Sequence, residues 1–353
     1  MNEVVVKESV IRYSREFDRY NKLTEIAYQI CLDLVQSKLT IRATVQRRTK
    51  TLKSFQDKLI KNQVYKTADE VFENISDLSG VRIITYLVSD REKIVEELSK
   101  IFRGKGKDDK PIIERKDRME IGRHYRGTHC LVYLPDEYLG DANSNLRNTV
   151  CEIQVCSLLA HVFNEIEHDL LYKPLNGRIS NEEHELLDQL GLITKSGDLT
   201  IKLLLGATDE RLKHGKGEFG DVHEFVIRMR EELKLGCSFS NNAGQLYQEF
   251  VLLNILSPQS IIKELTEPGE SLFEVGMVEY KKLKNYISTK NIEFTVEDNS
   301  SDILLAALLR KKVDEILFQH LNGKGKGRPG RLVQLARIYK EMSKHNNQGA
   351  PPR

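Results

Sequence analysis

Strand-like sequence is confined to the first half of this chain, and that asymmetry limits the folds open to it. VRIITYLV (81–88), HCLVYL (129–134) and VCEIQVCS (150–157) are short β-branched or alternating runs, the first bounded by Gly80 and Ser89-Asp90. From about residue 180 the apolar residues recur at helical spacing, in segments 181–204, 208–235, 243–256, 258–266, 274–287, 301–321 and 330–344, with short strands expected only near 290–297. This pattern predicts an α+β chain: a mixed β-sheet flanked by helices, followed by a mainly α-helical C-terminal part. A length of 353 residues fits two or three domains. We expect them at 1–178, 179–323 and 324–353, the last a basic linker (KGKGRPGR), a terminal helix and a frayed tail.

Within the first half, residues 3–38 read as one or two helices and Arg42–Lys53 as a basic segment leading into a helix through Leu59. Ser89 or Asp90 is expected to cap a helix over 90–102. Residues 103–126 read as a glycine- and charge-rich loop. Helix 157–173 offers a core stripe (Leu158, Leu159, Val162, Phe163, Ile166, Leu170) and a polar stripe (His161, Glu165, His168, Tyr172).

A net charge of +2 excludes a wholly basic nucleic-acid coat but permits a local basic site. The longest apolar run, Ile303–Leu309, falls far short of the roughly 18–20 residues of a spanning helix, so no membrane partner is expected. The N-terminus lacks the basic and apolar regions of a signal peptide. Five cysteines without a CxxC pair fit buried thiols in a reducing cytoplasm.

Four constellations carry chemistry. Arg48-x-Lys50-x3-Ser54-x3-Lys58 would, on a helix, line two ammonium groups and a hydroxyl along one stripe suited to a polyphosphate. Asp77-Leu-Ser-Gly-Val-Arg82 puts a carboxylate at a strand mouth, where Mg2+ can be held against phosphates. Glu152 and Gln154 share one face of a strand that is otherwise apolar; buried there, both need partners, and Glu152 could complete a Mg2+ site or take a proton. Loop 103–126 delivers Tyr125 after many cations, an arrangement able to clamp phosphate and stack a base. The polar stripe His161-x3-Glu165-x2-His168 has zinc-like spacing but no third ligand nearby, and reads as a pocket wall.

Each motif alone is also compatible with a solvated surface. In order, Arg-x-Lys-x3-Ser-x3-Lys, Asp-Leu-x-Gly-Val-Arg-Ile, Tyr-Arg-x-x-His, Glu-Ile-Gln-Val and Glu-His-x-Leu-x-Tyr-Lys resemble the RelA/SpoT alarmone synthetase domain over roughly residues 40–175. The resemblance implies a nucleotidyltransferase-like fold and Mg2+-dependent transfer of the β,γ-pyrophosphate of ATP to the 3′-hydroxyl of GDP or GTP, giving (p)ppGpp. It implies Arg48 and Arg82 sandwiching adenine, Lys50, Ser54 and Lys58 on the donor phosphates, and Asp77 and Glu152 as metal ligands, with Glu152 also the base. Tyr125 would stack on the acceptor base, with His129, Gln154 and His161 lining the acceptor pocket; Glu167, His168 and Lys173 match the helix signature. Small members of the family are often oligomeric, so a homo-oligomer is a further expectation.

The departures lie on the acceptor side. The family's Gly-Tyr-Arg-Ser is His124-Tyr125-Arg126-Gly127 here, and Ile121 and Cys156 replace two usual cations. They motivate a second reading, a toxin-type relative that pyrophosphorylates the 3′ end of tRNA or an adenine nucleotide under control of the helical half. A third, a catalytically dead binding module, sits poorly with Asp77 and Glu152 both present.

Overall fold

The structure, a computed structural model, describes residues 3–61, 64–117, 124–172, 179–321 and 330–348. It divides into two units, one of residues 1–35 and 41–205, the other of 36–40 and 206–353. The sequence placed a boundary at 178/179; the division falls later, inside a helix. Lys173, Ile121 and most of the 324–331 linker lie outside the described residues.

The first unit opens with α1 (Glu3–Asp33), which ends in a π-helical turn, Leu34–Lys38. Tyr13, Tyr20, Leu23, Ala27 and Ile30 are buried along it, spaced three, four or seven apart so that they share one face. Strands β1 (Ala43–Thr49), β2 (Ser79–Thr85), β3 (Ile112–Asp117), β4 (Arg126–Val132) and β5 (Cys151–Ser157) form one sheet in the order β1-β2-β5-β4-β3. The β2–β5 pair is parallel and the others are antiparallel. Helices α2 (Leu52–Lys61) and α3 (Ala68–Asn74) follow β1, and α4 (Val88–Ile101) follows β2. Phe55, Leu59, Val71, Ile75 and Leu78 pack with Tyr13 and Tyr20 of α1. Helices α5 (Leu158–Tyr172) and α6 (Asn181–Lys213) complete the unit, α6 continuing past its end.

Two strands escaped the sequence reading. The basic segment 42–53 contains β1, and the loop 103–126 contains β3. Both are edge strands, and edges carry charge that discourages pairing with other chains. Because β1 ends at Thr49, Lys50 sits in the turn before α2, so Lys50, Ser54 and Lys58 do not form one helical stripe. The first strand runs 79–85 rather than 81–88, and α4 begins at Val88 with Leu87 at its N-cap and no side-chain cap; neither Ser89 nor Asp90 serves. The core stripe expected on α5 is also corrected. Of that stripe Phe163 is buried, as expected, but Leu158, Val162, Ile166 and Leu170 are exposed, and Ala160 and Asn164 are buried in their place.

In the second unit, α7 (Val222–Glu232), α8 (Ala243–Leu252), α9 (Pro258–Leu265), α10 (Leu272–Thr289), α11 (Asp302–Leu321) and α12 (Arg331–Gln348) share one apolar core. The buried run Ile303–Leu309 makes α11 its central helix. Residues 290–297 form no strand, and the segment expected as helix 208–235 is broken before α7, where the Asp221 side chain accepts from the Glu224 N–H at 2.8 Å. No helix among the described residues is long and apolar enough to cross a membrane.

Candidate active site

Sheet register builds the site. Residues paired across neighbouring strands point to the same face. Arg48 pairs with Gly80 and Gly80 with Glu152; one step along, Gln46 pairs with Arg82, Arg82 with Gln154 and Gln154 with His129. The polar residues of four strands therefore share one face, while Val81, Ile83, Ile153 and Val155 occupy the opposite, buried face. The polar face floors a cleft of about 720 Å³ walled by α5. Ten of the eleven residues singled out in the sequence line it: Arg48, Lys50, Lys58, Asp77, Arg82, Tyr125, His129, Glu152, Gln154 and His161.

Ser54 is the exception. Its N–H and hydroxyl both bond the Thr51 hydroxyl, at 3.2 and 2.9 Å, so it closes the first turn of α2 instead of facing the cleft.

One end of the cleft is an ion cluster. Lys50 Nζ lies 2.7 Å from Asp77 Oδ2, and Lys58 Nζ 2.9 Å from Asp77 Oδ1. Burial pushes the Asp77 pKa up, but the two ammonium groups outweigh it and hold the carboxyl below its ordinary value. The turn carrying Lys50 is itself fixed: the Tyr13 hydroxyl donates to the Lys50 carbonyl at 2.6 Å, and the Lys50 N–H donates to the Leu78 carbonyl at 3.0 Å.

The other end is a hydrogen-bonded chain. Glu152 Oε1 lies 2.8 Å from His129 Nδ1, and His129 Nε2 lies 2.7 Å from the Tyr125 hydroxyl. A carboxylate only accepts, so the bonding pattern assigns the proton to Nδ1 and leaves Nε2 to accept from the phenol. Glu152 Oε2 accepts from Gln154 Nε2 at 2.9 Å. Burial raises the Glu152 pKa, but the His129 and Gln154 bonds hold it below the ordinary value, so the carboxylate stays ionised. Burial pushes the Tyr125 phenol up, keeping it a neutral donor.

Between the two, the Arg82 guanidinium contacts Gln154 Oε1 at 3.2 and 3.3 Å, Glu165 Oε1 at 2.8 Å and His161 Nδ1 at 3.2 Å. Burial and Arg82 lower the His161 pKa, which favours its neutral form. Glu165 and Lys116 are functional candidates that the sequence did not assign. Glu165 was visible in the α5 polar stripe; Lys116 enters the cleft only because β3 pairs it with Gly127.

The donor set suits a hard cation. No group of three or more His, Cys, Asp or Glu side chains gathers into a metal cage among the described residues. Asp77 and Glu152 offer carboxylate oxygens in the same cleft, the Asp77 carboxylate held at present by Lys50 and Lys58. Mg2+ commonly takes one or two carboxylates and completes its shell from phosphates and water, so the residues present fit it.

Residues 47–176, which include the ten cleft residues singled out in the sequence, match the family described as a region found in RelA / SpoT proteins. Over 204 residues the chain is 27% identical to the GTP pyrophosphokinase YwaC of Bacillus subtilis (strain 168), covering 52% of this chain and 89% of that protein. Among solved structures, the small alarmone synthetase 1 from Bacillus subtilis is 22% identical, covering 56% of this chain and 98% of that one, with a TM-score of 0.44. A GTP pyrophosphokinase family protein from Streptococcus pneumoniae is 18% identical, covering 58% and 98%, with a TM-score of 0.45. The similarity to RelA / SpoT proteins therefore spans residues 47–176, the part of the chain that builds the cleft.

Proposed function

We propose that this chain is a pyrophosphokinase that moves the β,γ-pyrophosphate of ATP to the 3′-hydroxyl of GDP or GTP. The observation that carries this reading is the pairing, in one cleft, of a lysine-rich end at Asp77 with a Tyr125–His129–Glu152 chain at the other. Both the family match and the named activity of the Bacillus subtilis relative support it.

ATP occupies the β1–β2 side. Arg48 and Arg82 are diagonal neighbours on adjacent antiparallel strands, positions roughly 7–8 Å apart, a spacing that accepts a flat base between two guanidinium planes. Lys50 and Lys58 exchange Asp77 for phosphate oxygens; Ser54 is left out of the donor set. Asp77 and Glu152 would hold Mg2+, which would supply charge neutralisation on the transferring group. On the acceptor side Tyr125 stacks on the base, and His129, Gln154 and His161 line the pocket. Glu152, ionised and oriented by His129 and Gln154, accepts the proton of the 3′-hydroxyl. The new bond joins that oxygen to the β-phosphorus, the bond from the β-phosphorus to the α-phosphate oxygen breaks, and AMP leaves.

The test is one labelling reaction. The full chain is incubated with Mg2+ and ATP labelled in its terminal phosphate, together with GDP, GTP, ADP and tRNA, and the products are separated. Label in a guanine nucleotide is expected. Label in tRNA or an adenine nucleotide would reassign the acceptor, and no label anywhere would overturn the transfer reading.

A further inference from the structure

We propose that Asp188, Thr194 and Asp198 of α6, a helix beyond the matched RelA/SpoT region, are positioning residues that brace Tyr125 for the acceptor. The inference rests on the stacking role given to Tyr125 above, and the bracing itself rests on geometry alone. The residues on either side of Tyr125 are both tied to α6. His124 Nε2 lies 2.8 Å from Asp188 Oδ1. Arg126 Nη1 lies 2.9 Å from Asp198 Oδ2, and its Nη2 donates to Thr194 Oγ1 at 3.0 Å.

Supporting contacts lock both ties. Ser157 Oγ donates to Asp198 Oδ2 at 3.1 Å, and Asn164 of α5 grips the Arg126 backbone twice, its Oδ1 accepting from the N–H at 3.3 Å and its Nδ2 donating to the carbonyl at 3.0 Å. The His124 ring fits a slot between Phe163, which it meets edge-on at 5.8 Å, and Gly191, where a Cβ would fall 2.3–2.7 Å from the imidazole side chain. Only glycine on α6 leaves room for that ring.

The tie through His124 accounts for one departure from the RelA/SpoT pattern. A glycine before the tyrosine has no side chain to reach Asp188; the histidine here does. Anchoring both neighbours restricts the backbone at Tyr125, so the acceptor meets a ring already in place and does not have to order it on binding.

The chain contains no tryptophan, so Y125W introduces a single indole reporter at this position in the full-length protein. We compare Y125W with Y125W/D188A and Y125W/D198N by acrylamide quenching and anisotropy, without substrate. Bracing predicts a quenching constant about twofold higher and a lower anisotropy in both double variants. In the Tyr125 background, D188A should raise the KM for the acceptor about tenfold, the equivalent of freeing roughly one backbone residue, while the KM for ATP stays within about twofold. D198N strips charge from a buried partner of Arg126 and could unfold the unit; D188A, in a pair whose two side chains are both partly exposed, decides the matter if circular dichroism shows D198N misfolded. Unchanged quenching in folded D188A, or equal rises in KM for both substrates, would overturn the proposal. The quenching arm needs no acceptor, so it stands or falls separately from the guanine-nucleotide assignment.

Discussion

Replacing Lys50 by methionine should cost more stability than replacing Lys58, and both costs should fade in acid. Both ammonium groups reach Asp77, but the Lys50 side chain is 12% exposed and that of Lys58 33%. Water therefore screens the second pair more. Removing one partner costs roughly 3–5 kcal/mol from a buried pair and ~0–1 kcal/mol from an exposed one. Asp77 is itself partly exposed and keeps one lysine in either variant, so we expect about 2 kcal/mol for K50M and about 0.5–1 kcal/mol for K58M. The pH dependence follows from the carboxylate. Folded Asp77 titrates below its ordinary value of 3.8, so its contribution is complete above that value and is lost as pH falls through the folded pKa. Urea unfolding of the three proteins, from pH 7 downward in steps to pH 3, reads both effects. Equal losses in the two variants, or a K50M deficit that stays undiminished at pH 3, would refute the reasoning.

Three further outcomes can be checked. E152Q should lower turnover about 100- to 10,000-fold in the labelling reaction while costing ~1 kcal/mol of stability, because the new amide would face the Gln154 donor; near-native turnover would remove Glu152 as the base. G244A should destabilise the helical unit by about 1–3 kcal/mol or more, since a Cβ there would lie 2.2 Å from the Gln36 carbonyl oxygen, and a native melting curve would contradict that packing. Cys31, Cys130, Cys151 and Cys156 are buried, burial pushing Cys130 up to about 12 and Cys156 to about 11, so near pH 8 a thiol reagent should titrate at most one cysteine quickly and all five after unfolding.

The sequence revealed elements in proportion to how deeply they are buried. β2, β4 and β5 are interior strands, and their β-branched or alternating runs were legible. β1 (ATVQRRT) and β3 (IIERKD) are edges whose charges imitate a loop, and only pairing with β2 and β4 makes them strands. The α5 error has a related cause. Leu158, Val162, Ile166 and Leu170 recur at helical spacing, yet the helix turns Ala160 and Asn164 inward beside the expected Phe163, a choice set by the sheet beneath and not by periodicity. Site residues emerged from ordered motifs because cross-strand register carries Arg82, Gln154 and His129 to one face. The partners that tune them could not be read this way. Asp188 and Asp198 lie more than sixty residues from His124 and Arg126 along the chain and meet them only through folding.

Strand β5 lies between the donor and acceptor sides proposed above: Gln154 has Arg82 on one flank and His129 on the other. Strands are spaced by about 4.8 Å, so backbone pairing alone holds the two flanks roughly 10 Å apart. Substitutions on β3, β4 or α6 can accordingly reshape one flank while the ladder keeps the other in place. His124 and Gly127 depart from the family pattern on the β4 flank, while Arg48, Lys50 and Lys58 keep it on the β1–β2 flank. On the proposed reading, a sheet divided in this way lets the receiving side change without rebuilding the grip on what supplies the pyrophosphate.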